Sequence, residues 1–358
     1  MRSSFVFASL LFALQCNAAE FAASFSGFAT YTAFSNQSFA ESSGRVAANG
    51  SLHYGDAAIK TQIDNDPDKK IRRFALEYAW PWEKNNVVVQ LGRLPRLNTL
   101  FSDVYGNPSE WGMAVLPLAT YNRRKVHSLA FQAIEGVKVQ YDKGLSFGNL
   151  RTTINYGTAI QERAHEWQTE AYRGVSFPGW DLDGDPHNSG DIALELTAGR
   201  WTAIASHNKV AVNTVLLDPA DRRAVGLTSK ILGLDYRFTR AGLKYATCDW
   251  SIQGEYGAGR NHLVTPAGEK LESKAWDAYI LGGYDVLPKL TAYAGYATGQ
   301  RYGSFLSIDR FAGATYRHGR WSYSAEYHHG NGSWGEYHGN DTVYRWEHLF
   351  VGAATVAF

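Results

Sequence analysis

The sequence predicts an all-β protein: a transmembrane antiparallel up-and-down β-barrel of about 16 strands, with one long loop folded inward. Three observations predict it. Segments of about 8 to 12 residues with period-2 alternation recur along the chain, the length a tilted strand needs to cross a bilayer. Tight turns and long connections alternate between them. The composition is 14% aromatic and only 19% charged, with 35 Gly, 21 Tyr, 18 Phe and 11 Trp, which favours aromatic strands joined by turns over helices.

The strands are expected near residues 21–34, 46–54, 57–64, 71–80, 86–94 and 134–142, then 147–158, 190–199, 201–210 and 229–239. Six more follow near 250–260, 273–286, 289–301, 308–318, 320–330 and 345–358. Short turns fall at Tyr54-Gly55-Asp56, Asp142-Lys143-Gly144, Gly199-Arg200, Leu287-Pro288 and His318-Gly319-Arg320, with longer loops at the other junctions. An even, closed sheet of this kind puts both termini on the short-turn side and leaves no strand edge. Its two faces differ. Trp321, Tyr323, Ala325 and Tyr327 suit lipid, while the alternating Ser322, Ser324, Glu326 and His328 suit water.

The chain opens with an export address, residues 1–18. Arg2 precedes an apolar stretch from Phe5 to Leu14, and Cys16-Asn17-Ala18 offers small residues before a cut after Ala18. An apolar stretch of that size spans roughly 15 Å as a helix, too little for an anchor. Residues 19–358 form the barrel domain, whose single cysteine, Cys248, leaves no internal disulfide. The net charge of +1 shows no basic field for nucleic acid, and no nucleotide-binding loop occurs.

Three stretches resemble the 16-stranded porins of Gram-negative outer membranes. The opening strand Phe25-Ser26-Gly27-Phe28-Ala29-Thr30-Tyr31 is similar to the first strand of a porin-like family. The last strand ends on Phe358, with Val356, Ala354 and Phe350 on the same face, similar to the signal read by the outer-membrane assembly machinery. Val88-Val89-Gln90-Leu91-Gly92-Arg93-Leu94-Pro95, followed by a long aromatic loop, resembles the strand and third loop of that family. Two departures stand out: Ala29 replaces a glycine, and the loop lacks the Pro-Glu-Phe-Gly-Gly signature of general porins. The resemblance implies an outer-membrane diffusion channel for small hydrophilic solutes or ions, assembled as a homotrimer in contact with outer-membrane lipid and lipopolysaccharide.

A barrel of this size is too wide for its side chains to fill and leaves an aqueous channel. The connection from Leu94 to about Ala133 carries Phe101, Tyr105, Trp111, Met113, Leu116 and Leu118, an apolar content unusual for a solvated loop. It either folds into the lumen as a constriction or covers a subunit interface. By strand parity Arg73, Lys138, Arg151 and Arg237 face inward, with Asp103 and Glu110 in the loop. Glu77, Asp235, Glu195, Asp277 and Glu326 are also expected to face inward, so the lining is mixed and the ionic preference weak. The Arg123-Arg124-Lys125 run is either a solvated stretch, a lipopolysaccharide contact or an anion attractor.

No cofactor is expected apart from a candidate calcium ion. Asp181, Asp183 and Asp185 alternate in a long loop and are either oxygen ligands for calcium or an Asx-rich turn. The histidines of Glu326-Tyr327-His328-His329 and Glu336-Tyr337-His338 are either a transition-metal site or a polar loop. Two other functions compete: a barrel enzyme of lipase or protease type, for which no Gly-x-Ser-x-Gly motif occurs in the mature chain, and a plugged barrel acting as an adhesin or structural protein. The residues favour a channel that is not an enzyme.

Overall fold

Alternation of large apolar and small or polar residues makes each segment a strand with one face for each environment. In a computed structural model, residues 21–35, 43–64, 71–94, 99–100, 113–114, 117, 134–159, 188–216, 231–264, 270–301, 305–331 and 346–358 are described. The first eight strands are β1 (Phe21–Phe34), β2 (Ser43–Tyr54), β3 (Ala57–Asp64), β4 (Ile71–Trp82), β5 (Asn85–Leu94), β6 (Ile134–Leu145), β7 (Gly148–Ala159) and β8 (Asn188–Ala198). The second eight are β9 (Trp201–Leu216), β10 (Ile231–Ala246), β11 (Trp250–Val264), β12 (Lys270–Leu287), β13 (Leu290–Arg301), β14 (Phe305–His318), β15 (Trp321–Asn331) and β16 (Trp346–Ala357).

Each strand pairs antiparallel with its sequence neighbours, and β16 returns to β1, closing the barrel. Closure leaves no row of unpaired amides, each of which would cost several kcal/mol in hydrocarbon. The closing register sets Phe28 opposite Ala357 and Phe34 opposite Val351. Inside the lumen, the Thr30 and Thr355 hydroxyls meet across the seam at 2.7 Å.

All 16 expected strands form, several with longer ends, such as β9, which runs on to Leu216; two of the shifts move a short turn. β6 runs on to Leu145, so its turn lies beyond the expected Asp142-Lys143-Gly144. β10 continues to Ala246 because Ala241, Leu243 and Tyr245 keep alternating with Arg240, Gly242 and Lys244. A tight turn at Thr247 then follows, whose side-chain oxygen accepts from the amides of Asp249 and Trp250. Pairing with β9 shifts between Leu232 and Leu234, an irregularity near the long-connection end.

The distribution of polarity inverts that of a soluble protein. Phe25 is 71% and Trp80 68% exposed on the outside, whereas Asp277 and Asn155 are fully buried inside. Outward aromatics gather near the short turns, where the Tyr245 ring lies 4.6 Å from that of Trp201 and 5.2 Å from that of Trp250. A second set, including Tyr31, Tyr156 and Tyr327, lies toward the long connections. Two such bands around an apolar belt are the surface a bilayer-spanning barrel presents.

Candidate functional site

The lumen is built by alternate residues of the strands, and the connection after β5 enters it. Gly92 starts that departure: its φ of 130° is left to glycine, and a Cβ there would meet the Phe74 carbonyl oxygen at 2.2 Å. Leu94 then packs fully buried with Ala75 and Ile134 where the chain leaves and re-enters the wall.

Two buried carboxylates hold the connection against the opposite wall. The Leu100 amide donates to Glu255 of β11, and the Ala114 amide donates to Glu326 of β15 at 2.5 Å. Thr99, Met113 and Ala114 are buried, as expected of an apolar segment folded inward rather than solvated. This decides between the two sequence readings for the described part of the connection.

Each carboxylate belongs to a network. Arg240 of β10 donates to Glu255 at 3.0 Å and to Asp277 at 2.9 Å, with its guanidinium 5.1 Å from the Phe238 ring centre. Glu326 accepts from the Tyr293 hydroxyl at 2.7 Å. His328 lies between two acids, its Nε2 2.9 Å from Glu326 and its Nδ1 3.2 Å from Asp309. A buried charge without partners would be strongly destabilising, so these groups stand or fall together.

The β2–β7 wall is different in character. Lys60 donates to Glu77 at 2.8 Å, and Gln90 also donates to Glu77. Arg151 donates to Asp142 at 2.8 Å, and Gln140 does so at 2.7 Å. These groups keep partial exposure: the side chains of Lys60 and Arg151 are 29% and 30% accessible. Arg45 faces the same space with its guanidinium 5.1 Å from the Phe28 ring centre.

Of the expected lining residues, Arg73, Glu77, Lys138 and Arg151 do face the lumen, as do Glu195, Asp277 and Glu326. Arg237 does not. It is exposed on the outer face, because Phe238 points inward, 1% exposed, beneath Arg240 and over Gly257 and Gly259. An apolar residue inside inverts the hydropathy rule from which the parity of Arg237 was read. Asp103, Glu110, Asp181, Asp183 and Asp185 lie outside the described residues, as do the Arg123 run and the leader, and nothing is described of the side chain of Asp235.

Sequence reasoning missed Arg240, Glu255 and Asp309. The apolar alternation of Ala241, Leu243 and Tyr245 places Arg240 inward, against the parity read from Arg237, and Glu255 shares the inward parity of Gln253. Ser324 and His328, which share a face as a hydrolase pair would, are engaged elsewhere. Ser324 bonds Thr315 at 2.7 Å, and both His328 nitrogens face carboxylates. Among the described residues, no group of three or more His, Cys, Asp or Glu is arranged to hold a metal ion. Phe350, Val356 and Phe358 share the outward face of the last strand, as read from the sequence.

No family model and no curated protein matches the sequence. Solved structures do. The outer-membrane OmpT of Vibrio cholerae superposes with a TM-score of 0.59 at 14% identity, covering 96% of this chain and 99% of that one. An anion-selective porin from Comamonas acidovorans gives 0.58 at 11% identity, over 95% of this chain and all of that one. Salmonella typhi OmpF, solved with daunomycin, gives 0.54 at 11% identity, over 95% and 98% of the two chains. At such identities the likeness establishes the architecture: this chain has the fold of the porins, a closed antiparallel barrel of 16 strands.

Proposed function

We propose that the protein is an outer-membrane porin, a passive water-filled channel for small hydrophilic solutes or ions, not an enzyme. One observation carries the reading: amides of the long connection reach Glu255 and Glu326 inside the barrel, so a segment narrows a lumen whose other wall keeps accessible charges. A 16-strand barrel otherwise leaves a wide aqueous bore, and a narrowing is what gives such a bore size selection. The mixed charges of the β2–β7 wall favour a weak ionic preference. The apolar exterior supports placement in the outer membrane after removal of residues 1–18. The porin-like fold, with the OmpT of Vibrio cholerae also solved in a trimer form, supports a homotrimer.

The test is single-channel current in potassium chloride from the refolded mature chain in a planar bilayer, repeated with residues 100–118 deleted. The expected result is stepwise conductance that rises on deletion. A folded barrel that gives no steps in either form would remove the channel reading and promote the adhesin or the enzyme.

A further inference from the structure

Two histidines meet on the outer face where β15 and β16 reach their long-connection ends. His329 stands directly opposite His348 across the strand pair. Both point away from the lumen: their neighbours His328 and Leu349 are buried inside, whereas His348 is exposed and His329 half-buried. The two imidazole rings lie parallel to within 10°, with centres 4.7 Å apart. His328, by contrast, is held inside the barrel by Asp309 and Glu326 and takes no part.

The surroundings prepare one nitrogen of the pair. The Tyr327 hydroxyl lies 2.5 Å from Nδ1 of His348, and the two rings stack with centres 5.8 Å apart. That engages Nδ1 and leaves Nε2 as the nitrogen open to a ligand. With an ion on Nε2, Nδ1 carries the proton and donates to the hydroxyl oxygen, the outer bond that fixes tautomer and ring orientation in metal-binding histidines. On the other side the His329 ring is flanked by Trp346, with centres 4.7 Å apart. Arg310 faces His329 from β14, but its guanidinium is drawn over the Trp346 ring, 5.4 Å from the centre. Below the pair, Tyr327 and Phe350 oppose each other with ring centres 5.1 Å apart. They belong to the aromatic set toward the long connections, so the histidines sit on the watery side of that band.

We propose that His329 and His348 form a binding site for a divalent transition-metal ion, copper(II) before zinc(II). Opposed residues of an antiparallel pair have Cβ atoms about 4.5–5.5 Å apart, and the imidazole torsion about Cβ–Cγ is soft. Turning one ring out of the stack brings a nitrogen of each histidine to about 2 Å from one ion. Neutral imidazoles suit copper and zinc, copper the more strongly. Calcium and magnesium need oxygen ligands, which the pair does not offer, and Arg310 repels an ion held by charge alone. Two histidines leave the remaining positions to water, so the site is a surface clasp and not a closed structural centre. The inference rests on the strand register and holds whether or not the barrel conducts.

The test titrates copper(II), with glycine as a competing chelator, into the untagged mature chain refolded in detergent micelles. Calorimetry counts the tightest site, and pulsed electron paramagnetic resonance counts its imidazole nitrogens. The variants are His329→Ala, His348→Ala and Tyr327→Phe, all on the outer surface, with folding checked by gel heat-modifiability. The expected result is one tight copper per chain held by two imidazoles, weakened about a hundredfold when either histidine is lost, as when one arm of a two-point hold is removed. Tyr327→Phe is expected to weaken it about tenfold while both imidazoles stay coupled. Tight copper that persists unchanged in either histidine variant, a single coupled imidazole in the unaltered chain, or no copper bound more tightly than millimolar would overturn the site. Calcium that competes with copper at equal concentration would do the same.

Discussion

Gly27 and Phe358 close the barrel by exchanging two backbone hydrogen bonds, at 2.8 and 3.0 Å, while the Phe358 ring occupies the space a side chain at Gly27 would need. A Cβ at Gly27 would lie 2.5 Å from that ring and 2.6 Å from the Ala47 carbonyl oxygen, so backbone as well as ring blocks it. Phe25 adds a second aromatic with its centre 6.3 Å from Phe358.

The seam is therefore intolerant of bulk. Gly27→Val is expected to destabilise the folded barrel by about 1–3 kcal/mol, the usual range for overpacking. Urea titration in detergent micelles would read it, and an unchanged midpoint would show that the ring moves aside freely. Deleting Phe358 is expected to lower the yield of inserted barrel in cells more than it lowers refolding in micelles, if the terminal aromatic is also the assembly signal.

The tether of the inward segment should be separable from the barrel itself. Glu326→Ala strips acceptors from the Ala114 amide, the Tyr293 hydroxyl and His328. Breaking a buried charge network of this kind costs about 3–5 kcal/mol. The expected outcome is a folded barrel whose single-channel current is larger and noisier than that of the unaltered protein. Identical current traces would mean that Glu326 does not hold the narrowing.

Arg240 offers a coupling measurement. Arg240→Met alone leaves Glu255 and Asp277 as neighbouring buried carboxylates and is expected to lose about 3–5 kcal/mol. Adding Asp277→Leu removes one of them and should restore part of the loss. A double variant as unstable as the sum of the two single ones would show that the pair at 2.9 Å contributes nothing jointly.

Lys60 bears on ion preference. With its side chain 29% accessible and paired to Glu77, its replacement by Gln leaves the Glu77 carboxylate without its cation on the β2–β7 wall. The reversal potential under a potassium chloride gradient is expected to move toward cations, by less than about fivefold in permeability ratio for a partly screened pair. A shift toward anions would contradict the inward placement of the pair.

Cys248 reports orientation. It is exposed in the short turn between β10 and β11 and is the only cysteine once residues 1–18 are removed. Membrane-impermeant maleimide is expected to miss it in intact cells and to label it after the outer membrane is opened. Labelling of intact cells would place the short turns outside.

Periodicity made the barrel legible because one face of nearly every strand is apolar, and Trp321, Tyr323 and Tyr327 show it without interruption. It failed where the lumen itself contains apolar packing. Phe238 points inward under Arg240, so the neighbouring Arg237 was read onto the wrong face. The inward course of the long connection was legible in residues such as Met113, whose burial follows from their hydrophobicity. Its partners were not, because Glu255 and Glu326 grip main-chain amides 155 and 212 residues away in sequence, and an amide has no signature in the code of side chains.

In the proposed channel, that grip on the main chain would separate mounting from sieving. Since Leu100 and Ala114 are held through groups every non-proline residue possesses, the identity of the side chains on the segment is left open by its attachment. Related barrels could exchange the residues that meet a solute, and so change diet, without redesigning the bracket. A segment lacking the Pro-Glu-Phe-Gly-Gly sequence is then no obstacle to an eyelet, and grafting a foreign segment between Thr99 and Met113 becomes a practical route to a channel of chosen bore.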